Sequence, residues 1–238
     1  NSVRLAIAIL AAIAAIAMLV PSFFIKEREY ISSVPVKTKA FSSLFKSFKN
    51  GQFRRFVYSD VIYFFAVTLF QMGLAFYITQ LMHVSEGNSF LLTVVMTVVS
   101  LCLYPVVNRL APKFGKKLLI VIGFFSYSAV FLIAFFCGEG ILWGYFIAVL
   151  AGVPMAILGI LPQAVVADIA EADALDSGEQ RSGMFFAART FAMKMGQAIS
   201  LLVFTSVTVS KTEWSYRLTA LIATGACLVG AILFLFYN

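Results

Sequence analysis

The sequence predicts an all-α fold, a polytopic transmembrane helix bundle of about seven spans. Three observations carry this. The mean hydropathy is +0.95, and 61% of the residues are hydrophobic. Charged residues make up 12% of the 238, about half the share of a soluble domain and too little polar surface to cover a water-soluble globule. Seven apolar stretches are each long enough to cross about 30 Å of hydrocarbon as a helix.

Those stretches lie at about 4–25, 56–82, 90–111, 117–137, 141–166, 184–209 and 215–237. They divide the chain into a first transmembrane helix (1–25), a cytoplasmic linker (26–55) and a six-helix bundle (56–238). The chain opens on Asn1 with Leu5–Val20 already an apolar run. No signal peptide is recognisable there, and the expectation is a segment of a longer protein.

Lysine and arginine set the orientation. The linker carries Lys26, Arg28, Lys37, Lys39, Lys46, Lys49, Arg54 and Arg55, and the third joint carries Arg109, Lys113, Lys116 and Lys117. The joints around His83–Ser89 and Gly138–Gly140 carry neither residue type. The basic joints are therefore cytoplasmic, and by parity so is the acidic joint 168–183. Lys211 and Arg217 in the sixth joint run against this pattern. The net charge of +7 reads as anchoring to anionic lipid and not as a nucleic-acid footprint. In the linker, Phe41, Leu44, Phe45 and Phe48 recur at helical spacing, as a short amphipathic helix on the membrane surface would.

A multi-histidine metal site is excluded, because His83 is the single histidine. Cys102, Cys137 and Cys227 stand singly in or beside apolar runs, as packing residues do.

Several spans hold polar groups that lipid alone would not accommodate. Asp60 lies about 7–8 Å past Arg55 at the helical rise, with Tyr63 and Gln71 near its angular face. It pairs with another helix or, alternatively, with Arg54 or Arg55. Span 141–166 contains Gly152, Pro154, Gly159 and Pro162, which imply kinks or close helix contact. Lys194 sits about 16 Å into its span and shares a face with Thr190 and Gln197. A lysine at mid-span costs about 2.5–3.5 kcal/mol, so a functional role stands against the alternative of a buried lysine paired with an acid. Arg189, about 140° round the helix from Lys194, is a candidate partner for the joint's acids.

The segment Asp168-Ile169-Ala170-Glu171-Ala172-Asp173, followed by Gly178, Arg181, Gly183 and then Lys194, resembles the joint between the tenth and eleventh helices of the glycoside–pentoside–hexuronide:cation symporters. These are the melibiose-permease type of the major facilitator superfamily. Gln180 and Ser182 depart from that pattern. "NRLAPKFGKK" resembles the superfamily's basic turn, with Pro112 in place of its usual acid, and "YRLTALIATGACLVGAILFLFYN" is loosely similar to the family's last helix.

The resemblance implies that the spans are helices six to twelve of a twelve-helix transporter, the C-terminal half together with the sixth helix. It implies transport of a glycoside or similar small polar solute coupled to Na⁺ or H⁺. The cation ligands would lie mostly in a missing N-terminal half, with no other cofactor. Lys194 would be a counter-charge to that cation site, with Thr190 and Gln197 beside it, and Asp60, Tyr63, Gln71, Tyr127 and Gln163 would serve substrate or coupling. Asp168, Glu171, Asp173, Arg181 and Arg189 would form a cytoplasmic gate. The partners are the lipid bilayer, the solute and the N-terminal half, and the setting is a bacterial inner membrane. Two other classes remain open from sequence: a membrane-embedded metal-dependent enzyme using Asp168, Glu171, Asp173 and Asp176, and a heptahelical receptor.

Overall fold

A computed structural model describes residues 2–24, 46–85, 87–178 and 181–237. The chain divides into two compact units, Asn1–Lys37 and Thr38–Asn238. In the first, α1 runs over Ser2–Phe24 and contains the apolar stretch Ile7–Val20. The linker between 25 and 45 lies outside the described residues, and with it Phe41, Leu44 and Phe45 of the expected amphipathic helix. Residues 46–49 form a helical turn, and Phe48 packs its ring 5.8 Å from that of Phe53.

The second unit holds α2 (Gly51–Phe76), which widens into a π-helical turn at Tyr77–Leu81. It continues with α3 (Asn88–Phe114), α4 (Lys116–Phe135), α5 (Ile141–Ser177), α6 (Ser182–Val207) and α7 (Glu213–Leu235). These six are long and apolar enough to cross a membrane, and no strand occurs among the described residues.

Each boundary has a local cause. The Asn50 side chain caps α2, its Oδ1 accepting from the amides of Gln52 at 3.0 Å and Phe53 at 3.1 Å. The helix therefore takes in 51–55, which the sequence assigns to the linker. α5 ends at Gly178 in the left-handed region, φ 68°, a conformation glycine adopts freely. Its 37 residues rise about 55 Å, well beyond the hydrocarbon thickness. Asp168–Ser177, most of the acidic joint 168–183, is thus a helical extension of α5. Hydropathy falls there, but helix propensity does not, because Ala, Glu and Leu carry the segment on.

Within the bundle α2 lies between α6 and α7, α7 leads to α4, α4 to α5, and α5 to α3. Hydrophobic burial gives helices in lipid little net drive, so close van der Waals packing must hold them. A Cβ on Gly152 would stand 2.5 Å from Val99 Cγ1, and one on Gly144 2.7 Å from Leu92 Cδ1. The glycines of α5 therefore serve close contact with α3, while Pro154 and Pro162 sit buried inside the continuous helix. Aromatic rings fill the centre. Tyr63 lies 6.0 Å from Tyr127, Tyr127 5.2 Å from Phe131, and Phe131 4.6 Å from Phe70. Each such pair adds about 0.5–1.5 kcal/mol beyond area burial.

The π-turn places Tyr77 so that its hydroxyl meets Thr219 Oγ1 at 2.6 Å, joining α2 to α7. At the same end Arg217 Nη1 donates to the Phe135 carbonyl at 2.6 Å. This gives Arg217 a place in a joint that the charge pattern assigns to the outside: it satisfies a carbonyl that the last turn of α4 leaves without a helical donor.

Candidate functional site

α2 and α6 meet backbone to backbone. A Cβ on Gly196 would lie 2.6 Å from the Val61 carbonyl oxygen, so the crossing admits glycine alone. One residue before Val61 stands Asp60, and seven before Gly196 stands Arg189. Arg189 Nε donates to Asp60 Oδ2 at 2.8 Å and Nη2 to Oδ1 at 3.1 Å. Both side chains are buried. The guanidinium also lies over the Phe56 ring at 5.8 Å and over the Phe64 ring at 5.9 Å, so the cation meets aromatic quadrupoles while its N–H groups meet the carboxylate. Ser59 Oγ donates to the Gly230 carbonyl at 2.7 Å, which fixes α2 against α7 beside the pair.

This decides between the two alternatives for Asp60 and corrects the expectation for Arg189. Asp60 pairs with neither Arg54 nor Arg55; Arg55 Nη1 donates to the Phe236 carbonyl at 3.3 Å. Arg189 turns to Asp60 and away from the acids of 168–183. The signal was present in the sequence as matched depth. Asp60 lies nine residues into α2 and Arg189 seven into α6, which are about 14 and 11 Å at the helical rise. Both helices start at the same end of the bundle, so the two charges stand at nearly one level.

A different face of α6 carries Thr190 and Lys194, both exposed, and the half-buried Gln197. Lys194 lies twelve residues into the helix, about 18 Å, and its Nζ donates to Gln197 Oε1 at 3.1 Å. Thr190 Oγ1 donates to the Phe186 carbonyl at 2.9 Å. Lys194 faces out of the bundle, so the alternative of a buried lysine paired with an acid does not hold among the described residues.

Tyr63 and Tyr127 are buried together next to Asp60, at the aromatic centre, and Tyr63, Asp60 and Ser59 border a small cavity with Pro162 and Phe124. Gln71 and Gln163 are exposed on α2 and α5, away from this cluster. The stripe expected from Asp60 through Tyr63 to Gln71 is therefore split: eleven residues is close to three helical turns, but α2 has different neighbours at that height.

The acidic extension of α5 makes two ties. Arg181 Nη2 donates to Asp173 Oδ2 at 2.7 Å, and Asn50 Nδ2 donates to Asp173 Oδ1 at 3.3 Å. Lys116 Nζ donates to Asp168 Oδ2 at 2.6 Å. The first tie joins the cap of α2, the end of α5 and the start of α6, and the second joins α5 to the start of α4. Glu171 and Asp176 are exposed. Among the described residues no group of three or more His, Cys, Asp or Glu side chains could hold a metal ion.

Six membrane-length helices with one charge-rich end and an ion pair buried at depth define a multi-pass integral membrane protein. The model of the family described as MFS/sugar transport protein matches residues 2–237, and the chain belongs to that family. It is also similar to protein spinster homolog 1 of Xenopus tropicalis, with 29% identity over 157 residues, 65% of this chain and 28% of that protein. The chain thus matches less than a third of the relative's length.

Proposed function

We propose that the chain provides the C-terminal helix bundle of a secondary active transporter, moving a sugar or similar small polar solute with Na⁺ or H⁺ across a bacterial inner membrane. Family membership supports the transporter class. The single observation that carries the coupling role is Lys194, a charge near the middle of α6, turned outward and held by Gln197 alone among the described residues. A lysine at that depth does not stand in lipid without a large penalty. It suits a watered cavity shared with a second bundle that supplies the cation's carboxylates. A nearby ammonium would compete with the cation for those carboxylates, which links ion occupancy to solute binding.

In this reading Thr190 and Gln197 line the same cavity wall, and Gln71 and Gln163 offer amides to solute hydroxyls. Asp60, Tyr63 and Tyr127 stand behind that wall. The ties at Asp168, Asp173 and Arg181 act as a cytoplasmic gate, with Glu171 free to meet the opposing bundle and Arg189 working through Asp60. The resemblance of the segment from Asp168 to Lys194 to the melibiose-permease type supports this reading.

The test is uptake of radiolabelled glycosides into vesicles by the full-length protein, with and without a Na⁺ or proton gradient. Lys194→Ala is expected to abolish gradient-driven accumulation while leaving the protein in the membrane. Unchanged gradient-dependent accumulation would remove Lys194 from coupling.

A further inference from the structure

We propose that the Asp60–Arg189 pair is a positioning element that fixes the rotation and axial register of α6 on α2, and so determines where Lys194 stands. This rests on the transport reading only in assigning Lys194 its task.

The need for such an element follows from how α6 is held. It packs chiefly on α2, with slight contact to α5 and α7. Its outer surface is largely apolar, with Phe191, Met195, Ile199 and Leu202 exposed. Apolar contacts are non-directional, and in lipid one greasy face exchanges for another at little cost. Rotating α6 by about one residue, 100°, would move Lys194 off its present face. The Gly196–Val61 approach sets how close the two helices come but would tolerate sliding.

The bidentate fork does not tolerate it. Two parallel N–H···O bonds at 2.8 and 3.1 Å demand that the guanidinium and carboxylate planes coincide, a geometry that lysine cannot reproduce. The rings of Phe56 and Phe64 both lie within 6 Å of the guanidinium carbon, at 5.8 and 5.9 Å. A well-packed apolar pair would serve stability as well or better, and the best-attested use of a buried polar pair is to set register. Arg189 and Lys194 are five residues apart on one rigid helix, so fixing the first fixes the second.

The experiment is cysteine accessibility in the full-length protein in membranes, with Cys102, Cys137 and Cys227 replaced by alanine. Single cysteines at 188, 190, 192, 194 and 197 are labelled with a charged methanethiosulfonate. In the parent, 190, 194 and 197 are expected to label and the buried 188 and 192 to stay protected. Asp60→Asn is expected to blur this pattern, with labelling at 194 changed by about fivefold or more and 188 or 192 becoming reactive. Arg189→Lys, which keeps both charges but loses the fork, is expected to change it in the same direction by less.

An unchanged pattern in either variant that reaches the membrane overturns the positioning role. If neither variant accumulates, the pair is a folding requirement and the proposal is likewise overturned. Absence of labelling at 190, 194 and 197 in the parent would instead overturn the watered-cavity reading on which the function rests, so the two failures are distinguishable.

Discussion

Asp173 receives hydrogen bonds from two helix ends at once, from Arg181 Nη2 at 2.7 Å and from Asn50 Nδ2 at 3.3 Å. Arg181 is 10% exposed and Asp173 13%, so little water screens the pair. Lys116 and Asp168 approach as closely, at 2.6 Å, but are 37% and 54% exposed. The two ties therefore differ in strength although their distances match. Asp173→Ala takes a charge-assisted hydrogen bond from a mostly buried guanidinium and is expected to lower stability by about 1.5–3 kcal/mol. Asp168→Asn is expected to cost less than about 1 kcal/mol, and less again in high salt. Thermal unfolding of both variants in detergent at low and high salt checks the contrast; equal losses would show that exposure does not govern these ties.

The buried pair of α2 and α6 gives a different pattern. Replacing either partner alone leaves an uncompensated buried charge beside Phe56, so Asp60→Leu or Arg189→Met is expected to destabilise by about 3–5 kcal/mol. The double variant removes both charges and is expected to recover most of that loss. Its expression level and melting temperature should lie above those of both single variants. A double variant no better than the worse single one would mean that the pair stabilises the fold directly.

Much of the fold was legible in the sequence because the lipid solvent imposes it. A 20-residue apolar run has one structural solution in hydrocarbon, a helix, and basic joints mark one side. Pairing was less legible, since Asp60 and Arg189 are 129 residues apart and periodicity within one helix does not say which neighbour it meets. The acids nearest to Arg189 in sequence are those of 168–183, whereas α6 turns it inward to Asp60 on α2. The end of α5 was misplaced for a related reason: hydropathy drops at Asp168, but the backbone hydrogen bonds of a helix do not depend on lipid and run on to Ser177. The face that Lys194 shares with Thr190 and Gln197 is legible from helical periodicity alone.

Cys137 offers a chemical test of the α4–α5 joint. Burial pushes its thiol up from the ordinary cysteine range, with the Arg217 guanidinium opposing the shift. The thiolate is the nucleophile, so a raised value means less thiolate at neutral pH and a reaction that accelerates as pH rises. A water-soluble maleimide is expected to modify Cys137 at least about tenfold more slowly than a cysteine placed at the exposed Ser85. Arg217→Ala removes the opposing cation and is expected to slow Cys137 further. Mass spectrometry over a pH series checks this, and faster labelling in the Arg217 variant would show that Arg217 acts on the site by closing it.

Gly196 and Gly225 set a steric rule against a propensity rule. A methyl group at Gly196 would stand 2.6 Å from the Val61 carbonyl oxygen, and this is backbone, which cannot swing aside as a side chain can. Gly196→Ala is therefore expected to force α6 away from α2 and to cost about 1–3 kcal/mol. At Gly225, on α7, nothing lies within 4 Å of the same methyl group, so Gly225→Ala is expected to be neutral or to stabilise by up to about 1 kcal/mol through helix propensity. The same close approach brings Asp60 and Arg189 within hydrogen-bonding reach of each other, so Gly196→Ala should also disturb the accessibility of a cysteine at 194, whereas Gly225→Ala should leave it unchanged. A Gly196→Ala protein with parental melting temperature and parental labelling would mean that the two helices can separate without loss, and that neither the close crossing nor the ion pair beside it governs the placement of Lys194.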